Sequence, residues 1–210
     1  MSRVYAGLGK VLPEELTGLR EEAAALARFD GVVFGDPEDG LEPAFLAAEL
    51  CRIHPSIRVV LPLVARDRNR TALLSAARTA TAMRAQGLVL LSGRLDPASP
   101  ARTVYELDPA QMLETLQLKH LGGELWVSSG CSTAAERARV RRLAKLGASR
   151  CVVPWCSEDP PAPCEALSTV FHVEEADWGA GRFPPRDFDQ VLQVVTGRGA
   201  AAQQALRARS

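Results

Sequence analysis

Aromatic residues are scarce: three Trp, two Tyr and six Phe make up 5% of 210 residues. Ala, Leu and Val must therefore fill most of any core, and alanine favours closely packed helices. Charge of one sign is not in excess, because Lys plus Arg and Asp plus Glu each number 25. That balance gives no electrostatic footprint for nucleic acid or a membrane surface, so neither is expected as a partner. Arg198, Arg207 and Arg209 read as a solvated, frayed tail. No apolar run reaches the roughly 18 residues of a membrane helix. The N-terminus shows no basic stretch followed by a long apolar core, so a cytoplasmic protein is expected.

Short-range metal and redox patterns are missing as well. The five cysteines are Cys51, Cys131, Cys151, Cys156 and Cys164. Their odd number argues against a disulfide framework. Cys131, Cys151, Cys156 and Cys164 contain no Cys-x-x-Cys pair, so no metal or iron–sulfur site is expected. Cys51 and Cys151 stand in apolar contexts and read as core thiols. His54, His120 and His172 share no motif and read as surface or capping residues. A Gly-x-Gly-x-x-Gly turn is absent after the first apolar run, where Gly7-Leu8-Gly9 is only a fragment of one.

The chain does contain a regular alternation. Strands are predicted at Arg3–Leu8, 31–35, 57–63, Gly87–Leu91, Glu124–Ser128, 150–155 and 167–173. Helices are predicted between them at 13–28, Pro43–Ile53, 70–85, 109–120 and 133–146. Pro13 and Pro109 suit a first helical turn, and Asp108 with Gln111 reads as a capping box. Pro62 is expected near the end of its strand. A last helix is predicted over 187–195. Strands separated by helices imply a parallel α/β sheet, either closed into a (β/α) TIM-like barrel or open and doubly wound. The missing glycine turn disfavours the open sheet. One domain spans 1–210, irregular from about 157 and with a tail at 197–210. A regular barrel needs about 250 residues, so an incomplete or compressed C-terminal side is expected.

In such folds the sites form at the carboxyl ends of the strands. The densest candidate there is Arg66-Asp67-Arg68-Asn69-Arg70. Guanidiniums bind phosphate or carboxylate in a bidentate fashion, and the next helix N-terminus adds partial positive charge. The same residues also have a purely structural reading, with Asp67 pairing an arginine and Asn69 capping the helix. Trp155 is a candidate to stack on a planar ligand, or a rim tryptophan.

The segment from Leu63 to Leu73 resembles the Leu-Thr-Cys-Arg-Asp-x-Asn segment of the methylenetetrahydrofolate reductase family. Gly87–Gly93, Val104–Leu113 and Glu136–Cys156 are similar to later segments of that family. The resemblance implies a (β/α) barrel, and a flavin that passes hydride from a nicotinamide cofactor to a folate. It implies FAD and NAD(P)H as cofactors and a folate-like molecule as substrate. Arg66, Asp67, Arg68, Asn69, Ser92, Gly93, Arg94 and Glu136 would then lie around the cofactor, with Trp155 near the substrate. The sequence departs from the family pattern in several places. No carboxylate stands on the first strand, Arg94 replaces the flavin-facing Asp, and Pro62 and Pro154 replace a His and a Gln. These departures leave two readings: a reductase-like enzyme with an altered site, or a degenerate ligand-binding or accessory subunit pairing with an intact enzyme or with its own copy.

Overall fold

A computed structural model of the chain describes residues 3–93, 104, 106–129, 131–155, 158, 164–173 and 191–195. Seven strands alternate with five helices through most of the chain. They are β1 (Arg3–Leu8), α1 (Leu16–Leu26), β2 (Gly31–Phe34), α2 (Pro43–Ile53), β3 (Val59–Val64), α3 (Arg70–Ala82), β4 (Gly87–Leu91), α4 (Pro109–Leu118), β5 (Glu124–Ser128), α5 (Ala134–Lys145), β6 (Arg150–Pro154) and β7 (Ser168–Val173). An eighth strand, β8 (Val191–Val195), follows. Every neighbouring pair is parallel, and β8 pairs with both β7 and β1. The sheet is a closed (β/α) barrel.

Alternation along the strands sorts the side chains into two layers. Tyr5, Val33, Val60, Val89, Trp126, Val152 and Val170 form one buried cluster inside the barrel. Their sequence neighbours, such as Val32, Leu61, Leu88 and Cys151, face outward and pack with helix residues including Leu19, Ala23, Leu46, Leu73, Ala77 and Leu113. Full burial of such a side chain is worth about 1.5–3 kcal/mol. Gly31 makes room for the inward Tyr5 ring, since a Cβ there would lie 2.8 Å from it.

The helices begin where the side chains can serve the free N–H groups of the first turn. Asn69 accepts from the Ala72 N–H at 2.9 Å. Asp108 and Gln111 exchange two 2.8 Å bonds across the start of α4. Thr133 and Glu136 make the same reciprocal box at α5.

The barrel expected to be incomplete or compressed is closed by eight short strands of four to six residues each. The crossover from β6 to β7 also holds no helix among its described residues. The segment predicted as a last helix contains β8 instead. Its Val-Leu-Gln-Val-Val run has strand propensity, and β1 and β7 offer edges on both sides. Pro62 sits inside β3, opposite Val89. It is tolerated because the β2 pairing ends at Val60, so no ladder bond to β2 is needed there. The tail at 197–210 lies outside the described residues. No helix among the described residues is long and apolar enough to cross a membrane.

Candidate functional site

The loops after β2, β3 and β4 meet at the C-terminal mouth of the barrel. After β3 the chain makes a single 3-10 turn over Ala65–Asp67. That turn aims Arg66 at the loop after β2, where Asp36 waits. Arg66 Nη1 and Nη2 donate to the two Asp36 oxygens at 3.1 and 3.0 Å. Arg66 Nε and Nη2 donate to Asp67 at 2.6 Å each. The guanidinium thus lies between two carboxylates, each held bidentately. The hydrogen bonds it donates to Asp67 raise the Arg66 pKa; burial opposes this, and Asp36 adds to the rise. The side chains are 13% exposed for Arg66, 22% for Asp36 and 45% for Asp67, so Asp67 is the carboxylate that faces solvent.

Backbone contacts fix this centre. The Arg66 N–H donates to the Ser92 carbonyl at 3.1 Å, and the Arg66 carbonyl accepts from Val104 N–H at 2.8 Å. Gly93 has φ +81, and a Cβ there would lie 2.6 Å from Val64 Cγ1 and 2.8 Å from Arg66 Cβ. The β4 loop can cross over Arg66 only because that position carries no side chain.

The remaining predicted site residues divide. Arg68 reaches Glu42 at 2.9 Å, just before α2, while its buried Nε has no partner among the described residues. Asn69 is spent on the α3 cap. Glu136 is engaged in the α5 capping box, its carboxylate accepting from Thr133 N–H at 2.9 Å; the Thr133 backbone and side chain hold its pKa below the usual value. Trp155 is buried beside Phe171 in an edge-to-face pair with centroids 5.4 Å apart. Arg94 lies outside the described residues. Asp36 escaped the sequence reading. Its one local signal is its place directly after the Gly35 that ends the second predicted strand.

Elsewhere the fold gathers thiols that the sequence spacing did not connect. Cys131, Cys151 and Cys164 place their sulfurs within 4.8 Å of one another. The hydrogen bond with Cys151 lowers the Cys131 pKa, while the same contact and then burial push Cys151 up.

No known family matches the sequence, and no curated protein does. Solved structures do match. KGPDC from Streptococcus mutans superposes with a TM-score of 0.62 at 12% identity, covering 100% of this chain and 94% of that one. The 3-keto-L-gulonate-6-phosphate decarboxylase of Vibrio cholerae gives 0.61 at 10% identity, over 99% and 96%. A 3-hexulose-6-phosphate synthase gives 0.59 at 15% identity, over 98% and 99%. At such identities the likeness establishes the fold. It also corrects the resemblance to methylenetetrahydrofolate reductases and the FAD-dependent folate chemistry that came with it. The shared features were those of strand-to-helix units in general. The Arg-Asp-x-Asn segment supplies an ion pair and a helix cap, uses that any such turn can make of these residues.

Proposed function

We propose that this barrel binds a small phosphorylated ketose at its C-terminal mouth and moves a proton on it, as an isomerase or lyase does. The observation that carries the reading is the Asp36–Arg66–Asp67 centre, two carboxylates fixed around one partly buried guanidinium where barrel enzymes do their chemistry. Support also comes from the solved structures of similar fold, two of which are named for sugar 6-phosphates.

Each group then has a distinct task. Asp67, the more exposed carboxylate, takes the proton from a C–H beside the substrate carbonyl. The electron pair of that bond moves onto the carbonyl oxygen as an enediolate, and the proton is later returned to carbon or oxygen. Arg66 is a positioning residue that holds both carboxylates in place and oriented. Arg68 has an unspent Nε for the phosphate, with the start of α2 beside it.

A panel of ketose phosphates and their unphosphorylated counterparts tests this. A phosphorylated member present at about 100 times its Kd should stabilise the chain by about 2.7 kcal/mol, roughly 5–10 °C in melting temperature. In deuterated water its α-proton should exchange, and Asp67→Asn should slow the exchange by about 10²–10⁴-fold while leaving the thermal shift. No shift and no exchange across the panel would refute the reading.

A further inference from the structure

The three-cysteine cluster stands apart from the mouth and has no part in the proton chemistry proposed there. Each thiol comes from a different element. Cys131 lies in the loop after β5, two residues before the Thr133 cap of α5. Cys151 is the second residue of β6, where the alternation turns Val152 into the barrel and Cys151 out toward the helix layer. Cys164 precedes β7, and its N–H donates to Thr169 Oγ1 at 2.7 Å. All three backbones are pinned. The Ser129 N–H donates to the Val152 carbonyl at 3.1 Å, and Arg137 Nη1 donates to the carbonyls of Cys131 and Ser132 at 3.2 and 2.7 Å.

Packing alone explains this arrangement poorly. Over the strand pairs from β1 to β6, helix residues such as Leu and Ala cover the sheet, and the crossover after β6 has no helix among its described residues. Sulfur occupies that place instead. Cys131 and Cys151 are 1% and 0% exposed and form a dry floor, and Cys164 is the partly exposed member. Cys51 provides the contrast: it sits singly on α2 against the Ile57 carbonyl.

We infer that Cys131, Cys151 and Cys164 form a three-thiolate site for a soft divalent metal ion, zinc being the fitting case. Zinc–sulfur bonds of about 2.3 Å put three sulfurs about 3.8–4.0 Å apart, so the observed spread closes with a shift of under about 1 Å. Thiolate softness selects zinc over magnesium or calcium. Binding releases the thiol protons, and the Arg137 guanidinium and the N-terminus of α5 lie beside the charge that forms. Three protein ligands leave the fourth tetrahedral position, on the Cys164 side, to a water or a small thiol from solvent.

The test uses the full chain, reduced and stripped with chelator. Cobalt(II) should bind at one per chain with a sulfur-to-metal charge-transfer band, and zinc should displace it. X-ray absorption on the zinc form should count three sulfurs at about 2.3 Å. Cys164→Ser, at the partly exposed position, should keep the fold by circular dichroism, lower the charge-transfer intensity by about a third, and weaken zinc by on the order of 100-fold. Cys51→Ser should change nothing. Three results would each overturn the site: no charge-transfer band, a zinc shell of nitrogen and oxygen alone, or a disulfide among these cysteines that forms equally well with zinc present.

Discussion

The two ends of this barrel use the same kind of ion pair for opposite purposes. At the N-terminal end, Arg150 and Glu124 open β6 and β5 and meet at 2.6 Å. Glu124 also accepts from Trp126 Nε1 at 2.9 Å, and Arg150 lies 5.5 Å from the Trp126 ring centre. Trp126 in turn meets the Tyr5 ring edge-on at 5.4 Å, and the Tyr5 hydroxyl accepts from Gln86 at 2.7 Å. This pair sits on aromatic rings that plug the barrel, and every partner belongs to a strand or its first flank. At the C-terminal end Arg66 bridges loops, and one of its carboxylates faces solvent. A charge pair on a packed floor gives stability; a charge pair across loops leaves groups that can engage a ligand.

Substitutions should separate the two ends. Trp126→Ala should have the largest effect on folding, about 3–5 kcal/mol in urea unfolding, because the ring is fully buried. Ligand-induced stabilisation should survive in whatever folds; its loss would blur the distinction between floor and mouth. Gly93→Ala should cost about 1–3 kcal/mol, combining a left-handed backbone with a clash against Val64 and Arg66. It should also disturb the mouth, which a ligand titration will detect as weakened binding.

Glu124→Gln should cost about 1 kcal/mol, discounted because the carboxylate is a third exposed. Burial alone would raise the Glu124 pKa, but Arg150 and then Trp126 hold it below 4.5. A lowered carboxylate pKa stabilises the folded state above the unfolded value and loses that advantage as pH falls through the folded value. The gap between wild type and Glu124→Gln should therefore be full at pH 6–7 and shrink below about pH 4.5. A gap that is flat with pH would mean that packing, and not charge, supports the floor. Asp36→Asn should have the smallest effect on stability, under about 1 kcal/mol, while slowing proton exchange on any ketose phosphate that binds by less than Asp67→Asn does. If Asp36→Asn unfolds the chain as Trp126→Ala does, the mouth is structural and the comparison fails.

Most of the barrel was legible because its signals are local. Gly87–Leu91 and Glu124–Ser128 are short apolar runs bounded by glycines and helix caps, and Pro43 marks the start of α2. Asn69 and Asp67 were equally readable, since a cap and a neighbouring ion pair involve residues one to three apart. What could not be read depends on distant partners. Asp36 meets Arg66 from 30 residues away. Val191–Val195 becomes a strand because β1 and β7 offer it edges, while Asp187 before it looks like a helix start. The three thiols come from separate elements of the fold, so no spacing rule could gather them. The resemblance to a reductase family went wrong for the opposite reason: it weighted local turn chemistry that many barrels share.

The closing contact between β1 and β8 also dictates when this molecule can be finished. Arg3–Leu8 is synthesised long before Val191–Val195, and one of its edges has no partner until that later strand has been made. Throughout synthesis that first strand presents unpaired backbone groups of the kind that join strands of neighbouring chains. The nascent protein is thus most exposed to aggregation just before its last strand arrives, and a chain cut short of Val191 would keep two open edges, on β1 and on β7.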